Sequence, residues 1–275
     1  MASSSGRFNR ILTPFEIGRY IISPGRKLCG FLIEAKTGRG VFRRIMRLIE
    51  ERKVDLKLVH YQSESPKGDK NIFVLIDYTE CEISPEELAE EIRRSRDVVT
   101  VELIEPRIKG LIADTVSNPL TIGGIRAIIT FFPAYRGLIR DVRERFGSGG
   151  AVFLYYAGFE IGKELARVAR NMGRRLEVTD PLRIVRDIIC SLYDAAGWGL
   201  TELIEFKSEP FYMHIRIYNS FECELGLGTG EPYSHLVRGV IAGCITEIFN
   251  IKVAVTEVKC LARGDPYCEF TVKPA

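Results

Sequence analysis

Apolar and polar residues alternate with two different periods between residues 28 and 105. A period of two, or a short apolar run bounded by turns, predicts four strands: LCGFLIEAK (28–36), VDLKLVHYQS (54–63), NIFVLIDY (71–78) and VVTVELIE (98–105). A helical period predicts amphipathic helices in VFRRIMRLIEERK (41–53) and SPEELAEEIRRSR (84–96). Ser84 is the predicted N-cap of the second helix, with Pro85 at its first position. The predicted order is β-α-β-β-α-β.

This order within about 80 residues is typical of the split βαβ, ferredoxin-like fold. The turn TGRGVF, with Gly38 and Gly40, lies directly before the first helix. With this turn, residues 26–106 resemble the ACT domain family, which binds amino acids and related effectors. The resemblance implies an effector-binding turn at Gly38 and Gly40. The alternative is a ferredoxin-like module that only pairs subunits.

The pattern changes after residue 106, where PRIKGLIADTVSNPLTIGG has no clear period. We therefore predict an N-terminal segment (1–25), an ACT-like domain (26–106), a linker (107–124) and a second domain (125–275). In the second domain, helices are predicted over 125–147, 150–173 and 179–199. A strand over 200–210, a strand over 211–224, a helix over 231–250 and a hairpin follow. Gly239 and Gly243 predict close backbone packing in the last helix. The fold class is α+β.

Composition limits the functional classes. The chain has 46% hydrophobic and 27% charged residues, and its net charge of +3 does not indicate a nucleic-acid partner. No apolar run reaches membrane-spanning length and the start has no signal-peptide core, so we expect a cytoplasmic protein without a membrane span. The 27 Arg, 12 Lys and single Gln indicate a thermophile, where intracellular disulfides are plausible.

The stretch EVKCLARGDPYCEF (257–270) contains the strongest candidate chemistry. Glu257, Cys260 and Cys268 could bind zinc, but Glu257 and Cys260 lie on opposite faces of a regular strand, so a bulge would be needed. Cys268 lies across the turn and can face Cys260. The spacing alone fits a zinc site, a reduced pair or a cross-strand disulfide.

Residues 125–273 resemble the 4-vinyl reductase domain family in the motifs GWG, YNSFECE, SHLVRGVIAG and VTEVKCLARGDPYCEF. This family includes sensor domains of phenol-responsive transcription activators, and its fold is distantly similar to small TRAPP subunits that hold an acyl chain. In zinc-binding relatives, three ligands correspond to Glu257, Cys260 and Cys268. The fourth, a cysteine, corresponds to Ser234. This departure leaves Cys223 on its predicted strand, His235 or water as candidates.

The resemblance also implies an apolar pocket between helices and sheet. Its candidate lining residues are Tyr155, Tyr156, Trp198, Phe211, His214, Tyr218 and Phe221. The sequence has no nucleophile or acid–base constellation and no flavin or nicotinamide fingerprint.

We therefore predict a non-enzymatic sensor that binds a small apolar or aromatic ligand, forms a homodimer and acts on a regulatory protein partner, plausibly in transcription. The alternatives are a lipid-holding assembly subunit and an enzyme acting on a vinyl or tetrapyrrole substrate.

Overall fold

The computed structural model describes residues 14–36, 40–63 and 70–275 of the chain. Its contacts divide it into two compact units, Met1–Ile128 (unit 1) and Ile129–Ala275 (unit 2). Within the described residues, none of the helices combines the length and the apolar character that crossing a membrane requires.

Unit 1 contains the predicted β-α-β-β-α-β core and two additional short hairpins. The core elements are β2 (Leu28–Ala35), α1 (Val41–Glu51), β3 (Asp55–Gln62), β4 (Lys70–Asp77), α2 (Pro85–Arg93) and β5 (Val98–Ile104). The added strands are β1 (Tyr20–Ile22), β6 (Leu111–Ala113), β7 (Thr121–Ile122) and β8 (Ile125–Arg126). The two short strand pairs are β1 with β6 and β7 with β8.

The core sheet of unit 1 has the antiparallel order β3-β4-β2-β5, which confirms the predicted ferredoxin-like fold. Val41, Ile45 and Ile49 of α1 pack against one face of this sheet. Ile112 of β6 packs against the opposite face. Because both faces are covered, the central strand β4 is apolar at almost every position.

The two helices of unit 1 begin differently. Ser84 accepts a hydrogen bond from the backbone N–H of Glu87, and the Glu87 carboxylate accepts one from the Ser84 N–H, so the predicted N-cap of α2 is a capping box. Gly40 precedes α1 with φ of 90°, a left-handed conformation that favours glycine. Gly38, the other residue of the predicted effector turn, lies outside the described residues.

Unit 2 begins with helices and ends with a sheet. Its helices are α3 (Phe132–Tyr135), α4 (Val142–Phe146), α5 (Ser148–Arg175), α6 (Pro181–Arg183), α7 (Cys190–Ala195), α8 (Phe221–Glu224) and α9 (His235–Phe249). Two π-helical segments, Arg136–Asp141 and Ile184–Ile189, connect α3 to α4 and α6 to α7. Its strands are β9 (Leu200–Ser208), β10 (Phe211–Tyr218), β11 (Val253–Lys259) and β12 (Cys268–Pro274).

The helix predicted from residue 125 begins only at Phe132. Ile125 and Arg126 form β8, so the sequence prediction was wrong for residues 125–131. Pro133 explains the start of the helix, because proline is tolerated in the first helical turn but disfavours helical conformation before it. Phe131 is accordingly extended, with φ −68° and ψ 142°.

Helices α5 and α9 pack against each other with their backbones in contact. A Cβ atom on Gly239 would lie 2.0 Å from the Tyr155 carbonyl oxygen, and one on Gly243 would lie 2.0 Å from that of Phe159. On α5, Gly158 and Gly162 approach the backbone of α9 in the same way. We call these four glycines the glycine contact. The close packing predicted from Gly239 and Gly243 is confirmed, with another helix as the neighbour.

The sheet of unit 2 is antiparallel with the order β11-β12-β10-β9, and the predicted α+β class is confirmed. Met213, Ile215 and Ile217 of β10 are buried in the core that the helices and the sheet share. The hairpin of β11 and β12 carries two of the candidate cysteines at its turn.

Candidate metal centre

The β11–β12 hairpin contains the bulge that the sequence required. Glu257 pairs with Phe270, and Lys259 pairs with the adjacent residue Glu269, so β11 has one extra residue between the two pairs. The extra residue reverses the alternation of faces beyond it. Glu257 and Cys260 therefore reach the same side of the hairpin.

The turn of the hairpin holds the two cysteines against each other. A short 3₁₀ turn (Leu261–Arg263) follows Cys260 and ends at Gly264, whose φ is 95°. The Asp265 carboxylate accepts the Cys260 N–H at 2.8 Å, and Cys268 Sγ accepts the Leu261 N–H at 3.4 Å. Both cysteines are buried, and one already receives a backbone hydrogen bond, as metal ligands commonly do.

Cys223 reaches the same place from a helix instead of the predicted strand. Strand β10 ends at Tyr218, Asn219 has a left-handed φ of 51°, and Ser220 is the N-cap of α8. The strand prediction for residues 219–224 was therefore wrong. The left-handed residue redirects the chain, and the four-residue helix α8 turns Cys223 toward the hairpin.

Four side chains converge at this point: Cys223, Glu257, Cys260 and Cys268. We call them the donor cluster. One ligand atom from each lies within 4.8 Å of all the others, and Cys223 Sγ is 3.5 Å from Cys260 Sγ. Tetrahedral zinc with Zn–S bonds of about 2.3 Å requires sulfur atoms about 3.8 Å apart, so the donors fit a tetrahedral ion closely. The cluster could hold a metal ion.

The electrostatics of the donor cluster also fit a cation. Burial raises the pKa of Glu257 to about 8. The hydrogen bond with Cys223 lowers the pKa of the Cys260 thiol, and the same bond raises that of Cys223. Without an ion, the cluster therefore carries little negative charge at neutral pH. A divalent cation would stabilise the three thiolates and the carboxylate together, because it supplies the opposite charge that burial otherwise demands.

Ser234 lies beside the donor cluster at the start of α9. Its Oγ donates a hydrogen bond to Glu257 Oε1 at 2.8 Å and lies 2.8 Å from Cys223 Sγ. His235, the other candidate fourth ligand, is not among the four converging side chains. Its Nδ1 lies 3.3 Å from the Arg238 guanidinium, and burial lowers its pKa to about 4.

Glu222 is a buried residue that the sequence analysis missed. Its carboxylate accepts the backbone N–H groups of Leu236 at 2.9 Å and Val237 at 2.8 Å, at the first turn of α9. Burial raises its pKa to about 7. The signal in the sequence was its position next to Cys223, but nothing in FECEL distinguishes Glu222 from the exposed Glu224.

Two of the predicted pocket residues contact each other within the core. The rings of Trp198 and Phe221 are 5.2 Å apart, and Tyr193 and Tyr135 extend this group at 5.5 Å from Trp198 and 5.3 Å from Phe221. Tyr193 was not predicted from the sequence. Its buried hydroxyl has no hydrogen-bond partner among the described residues.

The other predicted pocket residues lie elsewhere in unit 2. Phe211 packs on Phe249 at 5.1 Å, and Tyr155 lies under the Arg238 guanidinium. His214 Nε2 lies 3.6 Å from Glu269, and the rings of Tyr218 and Tyr267 are 5.4 Å apart. Tyr156 is 64% exposed. His214 and Tyr218 alternate with the core residues of β10, so they lie on the opposite face of the sheet from Ile215.

Comparison with known sequences gives one family match. Residues 213–274 match the family model of the 4-vinyl reductase domain, and all four residues of the donor cluster lie in this range. The chain is 31% identical over 121 residues to the uncharacterized protein MJ0855 of Methanocaldococcus jannaschii, covering 43% of this chain and only half of that protein. It is 27% identical over 175 residues to MJ0150 of the same organism, covering 62% and 91%.

Solved structures are similar to each unit. The phenol-responsive sensory domain of the transcription activator PoxR, solved with phenol, is 17% identical, with 55% and 78% of the two chains covered and a TM-score of 0.49. A vinyl-4-reductase family protein of Methanocaldococcus jannaschii is 23% identical, with 55% and 99% covered and a TM-score of 0.34. The ACT domain of a Chlorobium tepidum GTP pyrophosphokinase is 17% identical, with 29% and 99% covered and a TM-score of 0.24. Over residues 213–274, in unit 2, the chain carries a 4-vinyl reductase domain.

Proposed function

We propose that this chain is a non-enzymatic regulatory protein whose 4-vinyl reductase domain binds a small molecule and is held together by zinc. The observation that carries the proposal is the donor cluster: three thiols and a carboxylate converge within 4.8 Å, and all four residues belong to the family match. Sulfur-rich tetrahedral donor sets favour zinc over calcium or magnesium.

The role of this zinc is structural. Four protein ligands complete a tetrahedron, so no open position is left for a substrate or an activated water. The ligands come from three segments: α8, β11 with its following turn, and β12. Bound zinc would therefore join these three segments of the chain and stabilise the fold of unit 2.

Metal analysis of purified protein tests this proposal. We expect one zinc ion per chain in the wild type and none in the double variant Cys260→Ser, Cys268→Ser. Thiol titration under denaturing conditions distinguishes the alternative, because a Cys260–Cys268 disulfide would remove two thiols from the seven in the chain. A wild-type protein without stoichiometric metal would contradict the zinc assignment.

The proposed ligand is a small aromatic or apolar molecule with one polar group. The aromatic group of Tyr135, Tyr193, Trp198 and Phe221 supports this choice, because it joins contacting rings with a buried hydroxyl that lacks a partner in the described part of the chain. Buried hydroxyl groups in proteins almost always have a hydrogen-bond partner. A hydroxyl or carbonyl group of the ligand would provide one for Tyr193.

Ligand-shifted melting tests this part of the proposal. A panel of phenols, aromatic carbonyl compounds and fatty acids is screened with the zinc-loaded wild type and Tyr193→Phe. We expect a phenol or carbonyl compound to raise the melting temperature of the wild type and to lose most of this effect in the variant. Tyr156→Phe removes the hydroxyl of an exposed tyrosine and serves as the control. A co-purifying acyl chain would favour the lipid-holding alternative, and visible absorbance from a cofactor would favour the enzyme.

The regulatory part of the proposal concerns two functional domains, residues 26–106 and 125–275, in a homodimer. Ligand binding would shift the equilibrium between two arrangements and so change the activity of a protein partner, plausibly in transcription. Val152, Phe153 and Tyr156, which are exposed on α5, support self-association because they form one apolar stretch of the helix. Sedimentation of the wild type and of Phe153→Glu tests it; a monomeric wild type at micromolar concentration would contradict the dimer.

A further inference from the structure

The residue at the start of α9 does not cap its own helix. Ser234 is the N-cap residue, but its side chain makes no capping hydrogen bond. An N-cap serine usually accepts a backbone N–H from the first turn. Here its hydroxyl donates to Glu257 Oε1 and lies 2.8 Å from Cys223 Sγ, so it serves the donor cluster instead.

Glu222 supplies the missing cap from another element. Its two carboxylate oxygens accept the N–H groups of Leu236 and Val237, the second and third residues of α9. These hydrogen bonds are charge-assisted when Glu222 is ionised, and a negative charge is favourable at a helix N-terminus. Glu222 is fully buried, so water does not compete for these N–H groups.

The two elements have therefore exchanged side chains. The neighbour of ligand Cys223 caps α9, and the N-cap residue of α9 binds two members of the donor cluster. Helix α8 has only four residues, which is too short to be stable alone, so its position depends on such external bonds. The bonds from Glu222 to α9 fix where the backbone holds Cys223 relative to Glu257.

We infer that Glu222 is a positioning residue that links metal occupancy of the donor cluster to the first turn of α9. This inference rests on the metal site proposed above. Zinc fixes Cys223 and, through α8, holds Glu222 against the N–H groups of Leu236 and Val237. By reciprocity, a cap that favours the zinc-bound position of α8 raises zinc affinity, and zinc protects the first turn of α9 by the same free energy.

The link extends beyond the first turn of α9. Gly239 begins the glycine contact two residues after Val237, and its Cα lies against the backbone of α5. Side-chain packing tolerates small shifts, but two backbones in contact move together. Zinc occupancy at the hairpin therefore biases the position of the longest helix of unit 2.

The first test compares Glu222→Gln with the matched control Glu224→Gln in the same helix. Zinc affinity is measured by competition with a chromophoric chelator, and the donor set is monitored through the absorption of bound cobalt. We expect Glu222→Gln to bind zinc about 10- to 100-fold more weakly, as is usual when a residue that orients a metal ligand is changed. Its cobalt spectrum should match the wild type, since the three thiolates and the carboxylate remain. Glu224→Gln should bind zinc as the wild type does.

The second test is amide hydrogen exchange with and without zinc. In the wild type, zinc should slow exchange at Leu236 and Val237, and Glu222→Gln should lose most of this protection. Ser234→Ala is the reciprocal variant: we expect weaker zinc binding but unchanged exchange at the same amides in the zinc-free protein, because the Ser234 side chain caps nothing. This variant tests the exchange of side chains even if Glu222→Gln does not fold.

Failure of the inference and failure of the proposed function give different results. A wild type that binds no zinc fails at the first measurement, before any variant is compared, and overturns both. A wild type that binds one zinc ion, with Glu222→Gln of equal affinity or with no zinc-dependent protection at Leu236 and Val237, overturns the positioning role alone.

Discussion

Helix α9 makes two contacts that stabilise unit 2 in opposite ways. In the glycine contact, two backbones meet without any side chain between them, and the packing is complete with the chain's own atoms. At its first turn, α9 meets the donor cluster, where burial raises the pKa of Glu257 and leaves thiols crowded together. The first contact depends on shape alone. The second buries polar groups whose cost is offset fully only by a cation.

Zinc removal gives the largest expected effect and tests the donor cluster. With free zinc at about 1,000 times its dissociation constant, binding stabilises the folded state by about 4 kcal/mol, so chelation should lower the stability of unit 2 by that amount. The only tryptophan, Trp198, lies in unit 2, so its fluorescence follows the unfolding of this unit. The double variant Cys260→Ser, Cys268→Ser should not respond to the chelator. Equal urea midpoints for treated and untreated wild type would contradict a structural metal.

Gly243→Ala tests the other contact. Its Cβ would lie 2.0 Å from the Phe159 carbonyl oxygen, so α5 and α9 must separate, and we expect a loss of about 3 kcal/mol in the free energy of unfolding. The matched control is Gly149→Ala in α5, where a Cβ meets no atom within 4 Å. This control should gain up to about 1 kcal/mol from helix propensity. Similar urea midpoints for the two variants would show that the helices do not depend on backbone contact.

The two contacts also differ in how far the sequence predicts them. Gly239 and Gly243 are four residues apart in one helix, so a local pattern sufficed to predict a close approach. The donors Glu257, Cys260 and Cys268 are also local, and the required bulge followed from the alternation of faces along one strand. For both, the information lies within a few residues.

Cys223 and Glu222 were harder to predict because their roles depend on distant partners. The fragment FYMHIRIY alternates clearly, and nothing in it marks the end of the strand at Tyr218 except Asn219, whose left-handed conformation is a tertiary outcome. The predicted strand was therefore extended too far. The cap from Glu222 to Leu236 spans 14 residues, and no periodic pattern connects an acid in one helix to the amides of another.

Cys223→Ser tests which side chain completes the donor cluster. We expect zinc binding to weaken about 10- to 100-fold, equivalent to about 1.4 to 2.7 kcal/mol, because a neutral hydroxyl replaces a thiolate. The cobalt-bound variant should also lose intensity in the sulfur-to-metal charge-transfer band. His235→Ala, which changes the other predicted candidate, should leave both measurements as in the wild type. The opposite pattern would assign the fourth ligand to His235.

The smallest effect is a pH dependence that separates the donor cluster from the glycine contact. Burial raises the folded-state pKa of Glu257 from 4.5 to about 8, so the protonated carboxyl group is favoured in the zinc-free fold. Its contribution to stability is complete below pH 4.5 and is lost as the pH rises toward 8. Zinc binds the carboxylate, so zinc affinity should instead rise over the same range as the proton is released.

Urea unfolding of zinc-free protein at pH 5.5 and pH 8 measures this effect. The midpoint should fall with rising pH in the wild type, and Glu257→Gln should show a smaller decrease because it has no proton to lose. Gly149→Ala, which leaves Glu257 intact, should retain the wild-type pH dependence. A wild-type midpoint that rises from pH 5.5 to 8 would mean that Glu257 is ionised without zinc. The cluster would then hold its negative charge by hydrogen bonds alone, and the contrast with the glycine contact would disappear.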